Sequence, residues 1–200
     1  MDNQEALNTL NEIRKMMEKS SRFLALNGLS AIVIGIYACI AAGIAYFILY
    51  SIPPGENLPV GTFISFAVIL IIVCITTVVF MCRNKARRNH QQLQFDSTTK
   101  RLLWNFFFPL FAGGILCLAL IWHQHYGLTS SIMLIFYGIA LINASNYTYS
   151  NTRYLGYAEI LLGLSDSFVE GYALLFWVIG FGVFHMIYGI FFHLKYEKSN

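Results

Sequence analysis

A glutamate and a histidine lie inside neighbouring apolar segments of the chain, at positions that suggest contact. Glu159 lies in the segment that begins near Arg153, and His185 lies in the next one, which ends near Leu194. At about 1.5 Å of helix per residue, Glu159 is roughly 9 Å and His185 roughly 13 Å from the same boundary if the two segments form a hairpin. A carboxylate beside an imidazole can bind a proton or a small ligand. An ionisable side chain inside an apolar segment is therefore a candidate functional site.

Three asparagines fall at a similar depth by the same count, and with the two ionisable residues they form a predicted polar layer. The layer consists of Glu159, His185, Asn27, Asn105 and Asn143. Such a layer either binds a ligand or a proton, or holds helices together through interhelical hydrogen bonds of about 1 kcal/mol each. The second role is the commoner one for polar side chains in membrane helices, and no residue is assigned as catalytic.

The sequence has no signature of the common enzyme classes. It has no His-Glu-x-x-His, no Gly-x-Ser-x-Gly, no P-loop and no pair of aspartates within apolar segments. His185 and His193 are eight residues apart, but haem ligation across a bundle draws on facing helices, and His185 has no such partner. His123 and His125 alone make a weak metal site. We therefore predict a non-enzymatic protein without a metal or cofactor.

The elements that must position this layer are membrane helices. Of the 200 residues, 57% are hydrophobic and only 12% are charged, which is outside the balance of a soluble domain. The fold class predicted is all-α, a polytopic transmembrane helical bundle of six spans. The predicted spans cover about residues 23–50, 60–82, 102–122, 128–144, 154–169 and 171–194.

Two of these segments are weaker than the others. The fourth has about the minimum of roughly 17 residues that a crossing requires, and the fifth contains Glu159 and Asp166. The distribution of charge decides the number of spans, because six crossings place all 13 Lys and Arg residues on one side of the membrane. The acids Glu56, Asp166 and Glu170 are then predicted on the other side. Because cytoplasmic loops retain Lys and Arg, the pattern predicts a plasma-membrane protein with both termini in the cytoplasm.

The first 22 residues are predicted to form an amphipathic helix on the cytoplasmic side. Leu7, Leu10 and Ile13 recur at helical spacing, which suits either a position in the lipid headgroups or a docking surface for a protein or a second copy. Basic side chains of this helix and of the connection after the second span form the predicted partner-facing surface: Arg14, Lys15, Lys19, Arg83, Lys85, Arg87 and Arg88.

The distribution of basic residues also bears on nucleic-acid, lipid and protein partners. Residues 195–200 are a short cytoplasmic tail, and the net charge of +3 reflects helix ends near anionic lipid, so no nucleic-acid partner is expected. Lipid is the expected surrounding of the apolar surface. A cytoplasmic protein partner and a homo-oligomer are both compatible with the sequence.

Three segments resemble those of small bacterial inner-membrane proteins that have six predicted transmembrane helices and no assigned function. The segments are Leu155–Ile160, Gly180–Gly189 and Arg22–Ser30. The resemblance implies a bacterial inner-membrane protein and carries no activity with it. A membrane sensor or scaffold that presents its basic cytoplasmic face is the leading hypothesis. A small transporter or channel that uses the polar layer is the alternative, and a haem protein is a third class.

Overall fold

Helices account for nearly all of the chain that the computed structural model describes, which is residues 28–53, 56, 59–88, 97–148 and 151–197. These residues include no β-strand. The all-helical fold class is thus confirmed. The predicted amphipathic helix of residues 1–22 lies outside the described residues, and so does Asn27.

The chain forms a series of long helices joined by short turns. The last of them, residues 173–197, is a single path in which two α-helical segments alternate with two π-helical ones, Ile179–Phe184 and His193–Glu197. In chain order the α-helices are α1 (Gly28–Tyr50), α2 (Val60–Arg88), α3 (Ser97–Trp122), α4 (Thr129–Ser145), α5 (Thr152–Asp166), α6 (Ala173–Val178) and α7 (His185–Phe192).

Five helical stretches of the described chain are long and apolar enough to cross a membrane. They are Gly28–Tyr50, Val60–Arg87, Ser97–Trp122, Tyr126–Ser145 and Ala173–Lys195. The segment predicted over 154–169 is a helix of 15 residues, which spans only about 22 Å. It nevertheless runs beside α4 over most of its length, from Gly156 against Gly138 to Asp166 against Ser131.

Glycines allow the helices to approach closely at two interfaces. A Cβ placed on Gly156 of α5 would lie 2.7 Å from the carbonyl oxygen of Gly138 on α4. The same relationship holds between α1 and the last helix, where a Cβ on Gly189 would lie 2.7 Å from the carbonyl oxygen of Gly28. Small residues are the usual means of packing helices in lipid, where the hydrophobic effect does not drive helix association.

The α2 helix has a different environment. It packs on α1, but none of the residues in its most apolar 18-residue stretch is buried. Its buried residues, Cys82 and Ala86, lie near its end, where the ammonium of Lys85 is 5.9 Å from the centre of the Phe192 ring on α7. An apolar helix surface of this extent matches a lipid surrounding.

Contacts between helix ends show that the basic side chains gather on one side of the bundle. The end of α2 meets the end of α7 through Lys85 and Phe192, and the start of α5 meets α7 through Thr152 and Tyr188, whose hydroxyls are 2.9 Å apart. We call this side the basic end; it carries Arg83, Lys85, Arg87, Lys100, Arg101, Arg153 and Lys195. The opposite side, the acidic end, carries Glu56, Asp166 and Glu170.

Candidate functional site

Three side chains from three helices meet in the interior of the bundle. Glu159 is near the middle of α5, Tyr137 is near the middle of α4, and His185 follows the π-helical segment of the last helix. Oε1 of Glu159 lies 3.5 Å from Nδ1 of His185. Glu159 is 0% exposed and His185 is 3% exposed, so the contact is enclosed by protein. The structure therefore brings together the two ionisable residues of the predicted layer.

Both ring nitrogens of His185 have hydrogen-bond partners. Nδ1 is 3.1 Å from the carbonyl oxygen of Gly180, and Nε2 is 2.7 Å from the hydroxyl of Tyr137. Because a carbonyl oxygen can only accept, Nδ1 carries a hydrogen. In the neutral ring Nε2 then accepts from Tyr137. This arrangement leaves neither nitrogen available for axial ligation of a haem iron without breaking a hydrogen bond.

The carboxyl group of Glu159 is less well satisfied. Neither of its oxygens has a hydrogen-bond partner among the described residues, since the approach of His185 is a contact rather than a hydrogen bond. Two electrically neutral arrangements are possible here, namely a carboxylic acid beside a neutral imidazole or a carboxylate beside an imidazolium. In the imidazolium form Nε2 would also carry a hydrogen and donate to the Tyr137 hydroxyl, which would turn from donor to acceptor. The cluster can thus hold a proton in two positions.

Aromatic rings surround the imidazole. The Phe181 ring centre is 5.1 Å from that of Tyr137 and 6.1 Å from that of His185, and the Phe106 ring contacts Tyr137 edge-on at 6.2 Å. Phe181 and Gly180 belong to the π-helical segment Ile179–Phe184. Single π-helical turns inside α-helices occur frequently at functional sites. The irregular turn lies beside the Glu159 and His185 contact, because the Gly180 carbonyl oxygen is bonded to His185.

Asn105 and Asn143, the described asparagines of the predicted layer, do not join this cluster. The Asn105 amide donates to the carbonyl oxygen of Arg101 at 2.8 Å and to the Tyr147 hydroxyl at 3.4 Å, near the basic end. Asn143 is half-buried on α4, and Asn27 lies outside the described residues. Within the described chain, the predicted layer is thus reduced to Glu159 and His185.

The predicted polar layer did not include Tyr137, which is eight residues from the end of α4. The rise per residue puts it about 12 Å from that end, close to the depth of Glu159 and His185. A depth count applied to every hydroxyl would have found it. Gly180 begins the segment Gly180–Gly189 named from the sequence, but its role beside Glu159 and His185 depends on which helix faces it.

Asp166 lies at the acidic end with Glu56 and Glu170, but unlike them it is buried, with 3% of its surface exposed. The reason is that α5 ends against the start of α4, where the hydroxyls of Ser130 and Ser131 donate to Oδ2 of Asp166. Glu56 and Glu170, at the same end, are exposed.

The structure describes only some of the residues predicted to face a partner. Arg83 and Arg87 are exposed, and Lys85 is half-buried beside Phe192. The Arg88 side chain and the whole of Arg14, Lys15 and Lys19 lie outside what the structure describes. The described part of this surface is therefore the end of α2.

No protein-family model, curated protein or solved structure matches this chain. In the described residues, no group of three or more His, Cys, Asp or Glu side chains is placed to hold a metal ion.

Proposed function

We propose that this chain is a six-span bacterial inner-membrane protein that acts without catalysis, as a sensor or scaffold whose basic end faces the cytoplasm and binds a partner. The observation that carries the proposal is the gathering of the described Lys and Arg side chains at one end of the bundle. Long cationic side chains at one end retain that end in the cytoplasm and provide a surface for an acidic partner.

The enclosure of the Glu159 cluster supports this function over transport. Glu159 is fully buried, and glycines bring α4 and α5 into close contact along the helix that carries it. A transport route would require these close contacts to separate. A sensor needs only a buried group with two states that differ in packing, and Glu159 with His185 provides one.

Photo-crosslinking in cells tests the proposal. A photoreactive phenylalanine analogue replaces the exposed Arg87 at the basic end or, as the matched control, the exposed Phe168 near the acidic end. We expect one protein to be trapped reproducibly from position 87 and not from position 168. The adduct should be lost when residues 1–20 are deleted or when Arg83 is replaced by Glu. Equal trapping from both positions, or trapping that survives both changes, would contradict the proposal.

Movement of protons or a small ligand through the bundle is the second candidate, and one specific contact favours it. The unpartnered carboxyl of Glu159 lies 3.5 Å from an imidazole, as in a proton relay. In proteoliposomes with an internal pH-sensitive dye, transport predicts a proton flux that Glu159→Gln abolishes while the fold is retained. If wild-type protein shows the same flux as empty liposomes, this candidate is wrong.

A further inference from the structure

A second buried carboxyl group lies at the acidic end, away from the Glu159 cluster. Asp166 is the last residue of α5, and its Oδ2 accepts hydrogen bonds from the Ser130 hydroxyl and, at 2.8 Å, from the Ser131 hydroxyl at the start of α4. The residue is 3% exposed. Its other oxygen, Oδ1, is buried and has no hydrogen-bond partner among the described residues.

The charge of this carboxylate has no described counterpart. Every described Lys and Arg lies at the basic end, and the other two carboxylates described at the acidic end, Glu56 and Glu170, have the same sign as Asp166. Burial of an unpaired charge is costly, and a buried carboxylate is normally balanced by a cation. The acidic surroundings also raise the local concentration of cations.

The available ligand atoms define the kind of cation. All of them are oxygens, from one carboxylate and two hydroxyls, which suits hard ions rather than zinc or copper. A single carboxylate balances one positive charge, whereas a divalent ion would call for further acids. Membrane transporters bind Na⁺ at the C-terminal ends of helices, where the helix dipole is negative, and Asp166 is at such an end.

The residues on either side of Asp166 in the chain are exposed. Residues 165 and 167–171, which flank Asp166 and turn towards the last helix, are exposed. We infer that Asp166, Ser130 and Ser131 form a binding site for an alkali-metal cation, which ties the end of α5 to the start of α4. The inference does not depend on the proposed function.

Thermal unfolding of the full-length protein in nanodiscs tests the site. The midpoint is measured in NaCl, KCl and choline chloride at equal ionic strength, and binding of ²²Na⁺ is measured by equilibrium dialysis. With sodium or potassium at 100 times the dissociation constant, we expect the wild-type midpoint to rise by roughly 5 to 10 °C over choline. Asp166→Asn should abolish this rise and the sodium binding, and Ser131→Ala should weaken both.

Glu170→Gln is the matched control, since it removes an exposed acid at the same end. It should retain the full response. A wild-type midpoint that depends on pH but on neither alkali cation overturns the inference, as does a cation response that persists in Asp166→Asn. If Asp166→Asn does not fold, the wild-type titration together with Ser131→Ala decides the question, because cation-independent wild-type protein is by itself a negative result.

Discussion

Gly180 and Glu159 face each other so closely that a Cβ on the glycine would lie 2.5 Å from Oε2 of the carboxyl group. The glycine thus makes the space that the glutamate occupies. Its own carbonyl oxygen accepts from Nδ1 of His185, so one residue of the π-helical segment accommodates the acid and orients the imidazole. The irregular turn is in this way coupled to the buried contact between Glu159 and His185.

Gly180→Ala should destabilise the protein by about 1 to 3 kcal/mol, because the new methyl group would collide with the carboxyl of Glu159 and with Leu134 in a closely packed interior. The measurement is the thermal unfolding midpoint in detergent. Gly114→Ala serves as the control, since a Cβ there meets nothing within 4 Å and alanine favours a helix. Equal effects of the two substitutions would show that the close approach of Gly180 to Glu159 is not real.

Tyr137→Phe and His185→Phe should be coupled. Each single substitution leaves the other partner of the 2.7 Å hydrogen bond without its mate in a buried position, at a cost of about 1 to 3 kcal/mol. In the double variant both polar groups of that bond are removed, so its destabilisation should be smaller than the sum by about 0.5 to 3 kcal/mol. A double-mutant cycle of unfolding free energies checks this expectation. Strict additivity would mean that the two side chains do not interact.

Glu159→Met should leave the fold intact and raise its stability by about 1 to 3 kcal/mol. Methionine has a similar length and volume, and the substitution removes a buried polar group whose oxygens have no hydrogen-bond partner among the described residues. Glu170→Met, at an exposed position, is the comparison and should have little effect. If Glu159→Met instead unfolds the protein, the carboxyl makes a stabilising interaction that its contacts do not explain.

Gly156→Ala should weaken the pairing of α4 and α5 by about 1 to 3 kcal/mol. The added methyl group would lie 2.7 Å from the carbonyl oxygen of Gly138. A backbone carbonyl cannot move away from this methyl group as easily as the end of a flexible side chain can. Gly43→Ala on α1, where a Cβ has open space, is the matched substitution in another apolar helix. The thermal unfolding midpoints of the two variants in detergent are compared. A stability loss of the same size at Gly43 would point to a general effect of Gly→Ala exchange.

Reporter fusions test the six-span arrangement, which rests on the crossing of the short helix α5. A fluorescent protein that folds only in the cytoplasm should be bright when fused after Asn200. Alkaline phosphatase, which is active only outside, should be active when inserted after Phe168. The opposite result at the C-terminus would place Lys195, and with it the basic end, outside the cell. The assignment of the basic end to the cytoplasm would then be wrong.

Much of the architecture was predictable from the chain itself. The helices α1 to α4 begin and end close to the predicted spans, apart from extensions such as that of α2 to Arg88. The proximity of Glu159 and His185 was also predictable, because a count of helical rise gives depth and a short turn makes their helices neighbours. Depth alone, however, did not predict that Asn105 and Asn143 would stay away from the cluster.

Amino-acid sequence by itself determined that this is an all-helical chain with long apolar segments and with its cations at one set of helix ends. Those properties follow from the transfer free energies and charges of residues taken one at a time, which depend little on neighbours. Only the tertiary structure decided that Tyr137 bonds to His185, that Gly180 makes room for Glu159 and that Asp166 is buried against Ser131. These contacts depend on how each helix is rotated about its axis and on the π-helical turn at residues 179–184, and close packing between helices sets both.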